Sequence, residues 1–179
     1  KTKEAAAESS NLGTAFGRLS SSAAALLGVG GLAGISLEML KISERAALLD
    51  RGFLAVTGSA SLAASELEYL YQVSDRLGIN ALETGKTFLG LTAAVKGTSL
   101  EGEQVRDIFE VVSLSMAKLG KTSDDTSGAL YAIQQMISKG RVSAEELSGQ
   151  LGERLPGALR IASEAMGMTT QELYKMMEN

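Results

Sequence analysis

The sequence predicts an all-α protein, a compact irregular helical bundle of short helices joined by Gly/Ser/Thr turns and preceded by an Ala/Gly-rich helical arm. Three observations predict it. Only one proline, Pro156, interrupts 179 residues rich in strong helix formers. Aromatic residues make up only 4% of the chain, too few for the cross-strand pairs that hold sandwiches and barrels together. From about Ser59 onward the chain is punctuated by joints of one kind, a Gly followed within a few residues by Ser, Thr or Asn. In such a joint the glycine closes one helix in the left-handed conformation and the polar residue caps the N–H groups of the next.

The elements follow in order, in two expected domains, an apolar Ala/Gly/Ser-rich arm over 1–58 and a helical domain over 59–179. Lys3 to Ser22 is rich in Ala and Ser and poor in large apolar side chains, as in an arm or a fragment of a longer helix. Leu19 to Leu37 carries no acidic or basic residue after Arg18 and holds a Gly-Ala run in which Leu26, Leu27, Val29, Leu32 and Ile35 are the large apolar side chains. Two readings stay open for this run. It is either a hinge and helix covered by protein, with self-association as one means of covering it, or a membrane-contacting segment, although the four Ser and four Gly of Leu19 to Leu37 weaken insertion.

Downstream, Ala63, Leu67, Leu70, Tyr71 and Leu77 keep helical period, as do Val105, Ile108, Phe109, Val112, Met116 and Leu119, and then Leu130, Ile133 and Ile137. The joints between these stretches are Gly78-Ile79-Asn80, Gly97-Thr98-Ser99, Gly120-Lys121-Thr122-Ser123, Gly140-Arg141-Val142-Ser143 and Gly167-Met168-Thr169. Three openings have an acid three residues beyond the cap: Asn80 with Glu83, Ser143 with Glu146, and Thr169 with Glu172. Joints this short fold neighbouring helices back on one another and exclude a single long rod.

With neither Cys nor His, the chain lacks disulfides, thiolate nucleophiles, most zinc sites and the usual general acid or base near neutral pH. No catalytic, cofactor or metal residue is assigned, and an enzyme is not expected. A formal charge of −4 repels nucleic acid and anionic membrane over the chain as a whole. Gly28 to Gly34 has the glycines of a dinucleotide loop only by loose count, and Gly85-Lys86-Thr87 reads as a mid-helix glycine and a surface lysine. Asp124-Asp125 and Glu145-Glu146 fall in predicted first turns, where they meet the helix dipole. Ala158 to Asn179 has the spacing of a helix-turn-helix, yet Gln171, Glu172 and Lys175 with only Arg160 nearby make a poor phosphate-binding face, so DNA is disfavoured as a partner.

The longest motif runs from Gln135-Met136-Ile137-Ser138-Lys139-Gly140-Arg141-Val142-Ser143-Ala144-Glu145-Glu146-Leu147 into Gly149-Gln150-Leu151-Gly152-Glu153-Arg154-Leu155-Pro156-Gly157-Ala158. It closely resembles the signature of the tape measure domain found near the N-terminal end of tail tape measure proteins of tailed bacteriophages and prophages. The resemblance covers Phe109 to Asn179 best, with Ser148 where family members often carry a basic or polar residue. Within the motif, Gly140, Gly149, Gly152 and Gly157 permit close approach, Leu147, Leu151 and Leu155 supply packing, and Pro156 extends the residue before it and opens a helix. Arg154 beside Glu153, with Glu145 and Glu146 in reach, is expected to form an ion-pair cluster or an interface, and Gln150 to Ala158 is a candidate self-association region.

The resemblance implies a structural protein of the virion, inside the phage tail, and of the host cytoplasm during assembly. It would set tail length and be ejected at DNA delivery. The implied partners are the tail tube protein, tail assembly chaperones, tail tip or baseplate proteins, and further copies of itself as a trimer or hexamer, with membrane contact at infection as the rival role. The start at Lys1 without a Met reads as a piece cut from a longer protein, in which this part is a folded head and not the ruler's shaft.

Overall fold

A computed structural model of the chain describes residues 37–178. Among them are eight α-helices and one π-helix, and no strand. They are α1 (Leu37–Thr57), α2 (Ala60–Leu77), α3 (Ala81–Val95), α4 (Glu103–Lys118), α5 (Ser123–Lys139), π1 (Glu145–Leu151), α6 (Gly152–Arg154), α7 (Ala158–Ala165) and α8 (Thr170–Glu178). The fold is all-α, as the sequence predicts. Leu26, Leu27, Val29, Leu32 and Ile35 lie outside the described residues, as does the rest of the Gly-Ala run up to Ser36. No helix of the described residues is long and apolar enough to cross a membrane.

The chain divides into two compact units, Lys1–Glu68 and Tyr69–Asn179, with the division inside α2. In the first, α1 buries Leu49 and Phe53 and ends at Gly58 with φ of 71°. Ser59 then opens α2 by accepting the Leu62 N–H at 3.4 Å, so Gly58-Ser59 is a further joint of the kind seen downstream.

In the second unit the joints work largely as read. At Gly78, Gly120 and Gly167 the glycine takes positive φ, and two crossed backbone bonds close the helix. At the first of these, Ile79 N–H reaches Ser74 O at 3.0 Å and Gly78 N–H reaches Asp75 O at 3.3 Å, the Schellman pattern that left-handed glycine permits. Asn80 caps α3 by accepting from Leu82 and Glu83 N–H at 3.0 and 3.1 Å. Thr122 and Asp125 form a full capping box on α5, and Thr169 and Glu172 do the same before α8.

One joint differs from expectation. Ser99 does not open the next helix, which starts four residues later with Gly102 as its cap residue. Thr98 instead closes α3 by donating its hydroxyl to Val95 O at 2.6 Å, and the Glu101 carboxylate accepts the Gly97 N–H at 2.7 Å. The segment therefore forms a turn of its own before α4.

Three contacts fix how the helices lie. Ser123 Oγ accepts the Asn80 N–H at 2.9 Å and Ser127 Oγ donates to Glu83 O at 3.0 Å. A Cβ on Gly90 would sit 2.8 Å from Gln134 Cδ. The partners stay 43 to 44 residues apart along both helices, so α3 and α5 run parallel and close together, with α4 as the returning connection. The aromatic core lies on the α2, α3 and α4 side. Phe88 and Phe109 are fully buried with ring centroids 4.5 Å apart, and the Tyr69 ring sits 5.8 and 6.3 Å from them.

Tyr69 also ties α2 to α4. Its hydroxyl lies 2.9 Å from Arg106 O and 3.1 Å from Glu110 Oε2, the Arg106 guanidinium sits 5.1 Å over its ring, and Arg76 pairs with Glu110 at 2.8 Å. Burial, reinforced by the Glu110 carboxylate, raises the Tyr69 phenol well above its ordinary value, so it stays a neutral donor at any physiological pH.

In a chain with so few rings, two fully buried phenylalanines supply a large part of the core. Phe88→Ala or Phe109→Ala is expected to cost about 3–5 kcal/mol, read by urea unfolding followed by circular dichroism. Val111→Ala on the exposed side of α4, where the residue is 61% accessible, is expected to change stability by less than about 0.5 kcal/mol.

Candidate functional site

The long motif folds into one continuous path of unusual geometry. After α5, Gly140 turns the chain with φ of 63°. Ser143 O then accepts the Leu147 N–H at 3.0 Å. From Glu145 to Leu151 the backbone is π-helical, and the Gly152 N–H reaches back to Leu147 O, five residues earlier. Gly152–Arg154 resumes α geometry, Leu155 is extended at φ −111° and ψ 91°, and Gly157 at φ 85° leads into α7. The extended Leu155 is the steric consequence of Pro156 after it. A Cβ on Gly152 would lie 3.2 Å from Leu147 O, the carbonyl that accepts the π-type bond, which explains a glycine there.

Charge is handled by burial and pairing. Glu146 is fully buried, and its carboxylate accepts from the Lys139 ammonium and the Ser143 hydroxyl. The hydrogen bond from Lys139, opposed by burial but seconded by that ammonium's charge, holds the Glu146 carboxyl below the usual carboxylate range. The Ser143 and Glu146 side chains thus meet as the capping pattern suggests, but the first residue of the π segment is preceded by Ala144 without a side-chain cap. Leu147 and Leu151 point inward.

Arg154 takes a different place from the expected cluster with Glu145 and Glu146. It donates from Nη1 to Gln150 O at 3.0 Å, and its side chain runs across Gly128 of α5, where a Cβ would come within 2.7 Å of Arg154 Cδ and 2.8 Å of Cζ. The structure brings together Glu146, Leu147, Gln150, Leu151, Gly152 and Arg154 on the side of α5, while Gly140, Glu145, Pro156 and Gly157 stay at the surface and Leu155 is half-buried.

Sequence reading did not assign the structural roles that six residues take here. Lys139 pairs with Glu146 across a glycine turn, a spacing no helix rule selects. Gly128 carried a usable signal, since an interior helix glycine costs about 1 kcal/mol relative to Ala and asks for a packing reason. Thr122 with Asp125 fits the simplest capping-box pattern. Ala158 and Leu173, both buried, seat the α7–α8 pair. Gly85-Lys86-Thr87 lies inside α3, and Asp124-Asp125 and Glu145-Glu146 lie in first turns, all as expected.

Among the described residues no group of three His, Cys, Asp or Glu side chains could hold a metal ion. The charged groups at the centre of the motif instead serve as helix ties, which is the construction of a helical scaffold module. A family model described as tape measure protein matches residues 38–179, and the chain belongs to that family of phage tail structural proteins. It is similar to the probable tape measure protein of Salmonella phage Felix O1 (isolate Felix O1-VT1), 36% identical over 104 residues that take in 58% of this chain and 14% of that protein. The chain thus spans a small part of that relative's length. No solved structure gives a significant match.

Three depressed carboxyls set the pH response. Besides Glu146, Asp125 is lowered chiefly by the Thr122 hydroxyl and then its N–H, and Glu172 chiefly by the Thr169 N–H and then its hydroxyl. A carboxyl with a lower pKa folded than unfolded binds its proton more weakly in the fold, so acid favours the unfolded chain. Stability is therefore expected to be level above about pH 5 and to fall as the pH drops through about 4 and below. Glu146→Gln is expected to lower the neutral-pH melting temperature and to flatten that acid slope, read by thermal melts across pH 3 to 7. An unchanged slope in the variant would refute the Glu146 contribution.

Proposed function

We propose that this chain is a folded, non-catalytic portion of a tape measure protein that sets tail length during assembly and leaves the particle at DNA delivery. The observation that supports this most is the family match over 38–179. It covers all the described helices but the first residue of α1, and it includes the stretch in which the Glu146 tie and the π segment are built. Length measurement follows from helix geometry. A helix rises about 1.5 Å per residue, so a protein that is helical along a tube fixes the number of rings stacked around it.

In this reading the described domain is a head that contacts other tail components, and the ruler is supplied by other parts of the protein. The contacts proposed are with the tail tube protein, tail assembly chaperones and tail tip or baseplate proteins, and with further copies of the chain as a trimer or hexamer. Particles are the location, with the host cytoplasm as the place of assembly. The Gln150–Ala158 stretch contributes Pro156 and Gly157 to this surface, and Ile161, Met166, Tyr174 and Met176, each about half exposed, extend it over the α7–α8 pair. Apolar exposure of that kind favours a protein partner over open solvent.

The test is genetic and measured by electron microscopy. In-frame deletions in a helical region of the parent gene outside this domain are expected to shorten tails by about 1.5 Å per residue removed. Disrupting this domain, for example with Phe109→Asp, is expected to abolish tails and not to shorten them. Tails of normal length from the deletions would refute the ruler role, and normal tails from the disrupted domain would refute the head role.

A further inference from the structure

Among the described residues π1 is the one helix that departs from α geometry, and its surroundings suggest why. A π turn takes one more residue per hydrogen-bonded ring than an α turn and is rare, occurring as isolated turns and often where a protein works. Resolving it into α geometry moves one residue along the helix. Everything beyond it then turns by about 100° and shifts by about 1.5 Å, the step of a single residue.

Three features of this chain make that step consequential. First, the C-terminal hairpin is carried by the π segment: α7 packs chiefly on π1 and α8, and α8 chiefly on α7. Second, glycine stands where the π-type bond closes, because a Cβ on Gly152 would press on Leu147 O at 3.2 Å. Third, the far end is held by a seat. The Arg154 side chain lies across Gly128, and the two sides of that contact belong to α6 and α5. At the near end, Glu146 is fixed to Lys139 and Ser143, so rotation would be taken up beyond Glu146 and passed to Arg154.

We propose that π1 is a register hinge with Arg154 on Gly128 as its latch. In the latched state the helix keeps its π turn and the α7–α8 hairpin stays docked. In the released state the turn becomes α-helical, Arg154 leaves Gly128, and the hairpin swings about the Leu155-Pro156-Gly157 elbow with its exposed Ile161, Met166, Tyr174 and Met176. The inference rests on the geometry of this domain alone and holds whether or not the parent protein measures a tail.

The absence of cysteine from the chain makes the test direct. Lys118→Cys on α4 and Gln171→Cys on α8, both exposed, accept one nitroxide each, and double electron–electron resonance reads the distance between them in the whole 179-residue chain. The expected result is two distance populations in the parent. Arg154→Ala, which removes the latch without adding bulk, is expected to raise the second population at least about threefold, and Gly152→Ala, which opposes the π turn, is expected to raise the same one. Helix content by circular dichroism should stay level. A single distance, unchanged in both variants, overturns the hinge. So does a broad, featureless spread in Arg154→Ala with no second peak, since that is a hairpin loosened and not turned. If Gly152→Ala fails to fold, Arg154→Ala alone decides on the same two criteria.

Discussion

Burying the Glu146 carboxylate is the constraint from which the rest of the motif's geometry follows. An ionised acid out of water is tolerable only with close donors, and the donors here come from both sides of a turn, Lys139 from the end of α5 and Ser143 from the loop. Satisfying them brings the chain back against α5 immediately after leaving it. That return requires Gly140 in the left-handed region. It also requires Leu147 and Leu151 to face α5 over a run whose start is already fixed by the acid. A plain α-helix steps 100° per residue. The π turn is a wider solution that keeps Glu146, Leu147 and Leu151 all buried.

Away from that motif the fold depends on a few rings and on serine and glycine contacts. Eight aromatic residues are present in the whole chain, and three of them converge on one point where α2, α3 and α4 meet. Between α3 and α5 the packing is of another kind. Gly90 admits Gln134, Ser123 and Ser127 reach across to backbone groups, and Ala129 and Ala132 are fully buried. Small residues let the two backbones come close, so direct hydrogen bonds form where larger side chains would hold them apart.

The parts legible in the sequence were those governed by local chemistry. Positive-φ glycine followed by a capping side chain marked the ends of α2, α4 and α7 because both halves of that signal are written within a few residues. The apolar period of α4 located Val105, Phe109, Val112 and Met116, all buried, though Leu119 past the helix end is exposed. What stayed hidden depended on distant partners. Nothing near Arg154 in sequence points to Gly128, and nothing near Lys139 says that it will neutralise a buried acid and not sit in solvent. The Thr98 to Gly102 turn was missed for a local reason, since Glu101 competes for the Gly97 N–H and delays α4.

A scaffold domain gains from placing its charges this way. Surface ion pairs such as Arg160 with Glu164 and Arg106 with Glu103 add little to stability. The carboxyls with depressed pKa all sit instead at helix starts, accepting from Thr122, Thr169 or the Lys139–Ser143 pair. At α5 and α8 the cap is formed within its own few residues, whereas α4, π1, α6 and α7 begin without a side-chain cap. A chain so built can keep its helices intact while the contacts between them rearrange, because breaking an interhelical contact need not strip a cap. That separation between local and tertiary stabilisation is what permits a hairpin to move on a π turn without costing the helices on either side.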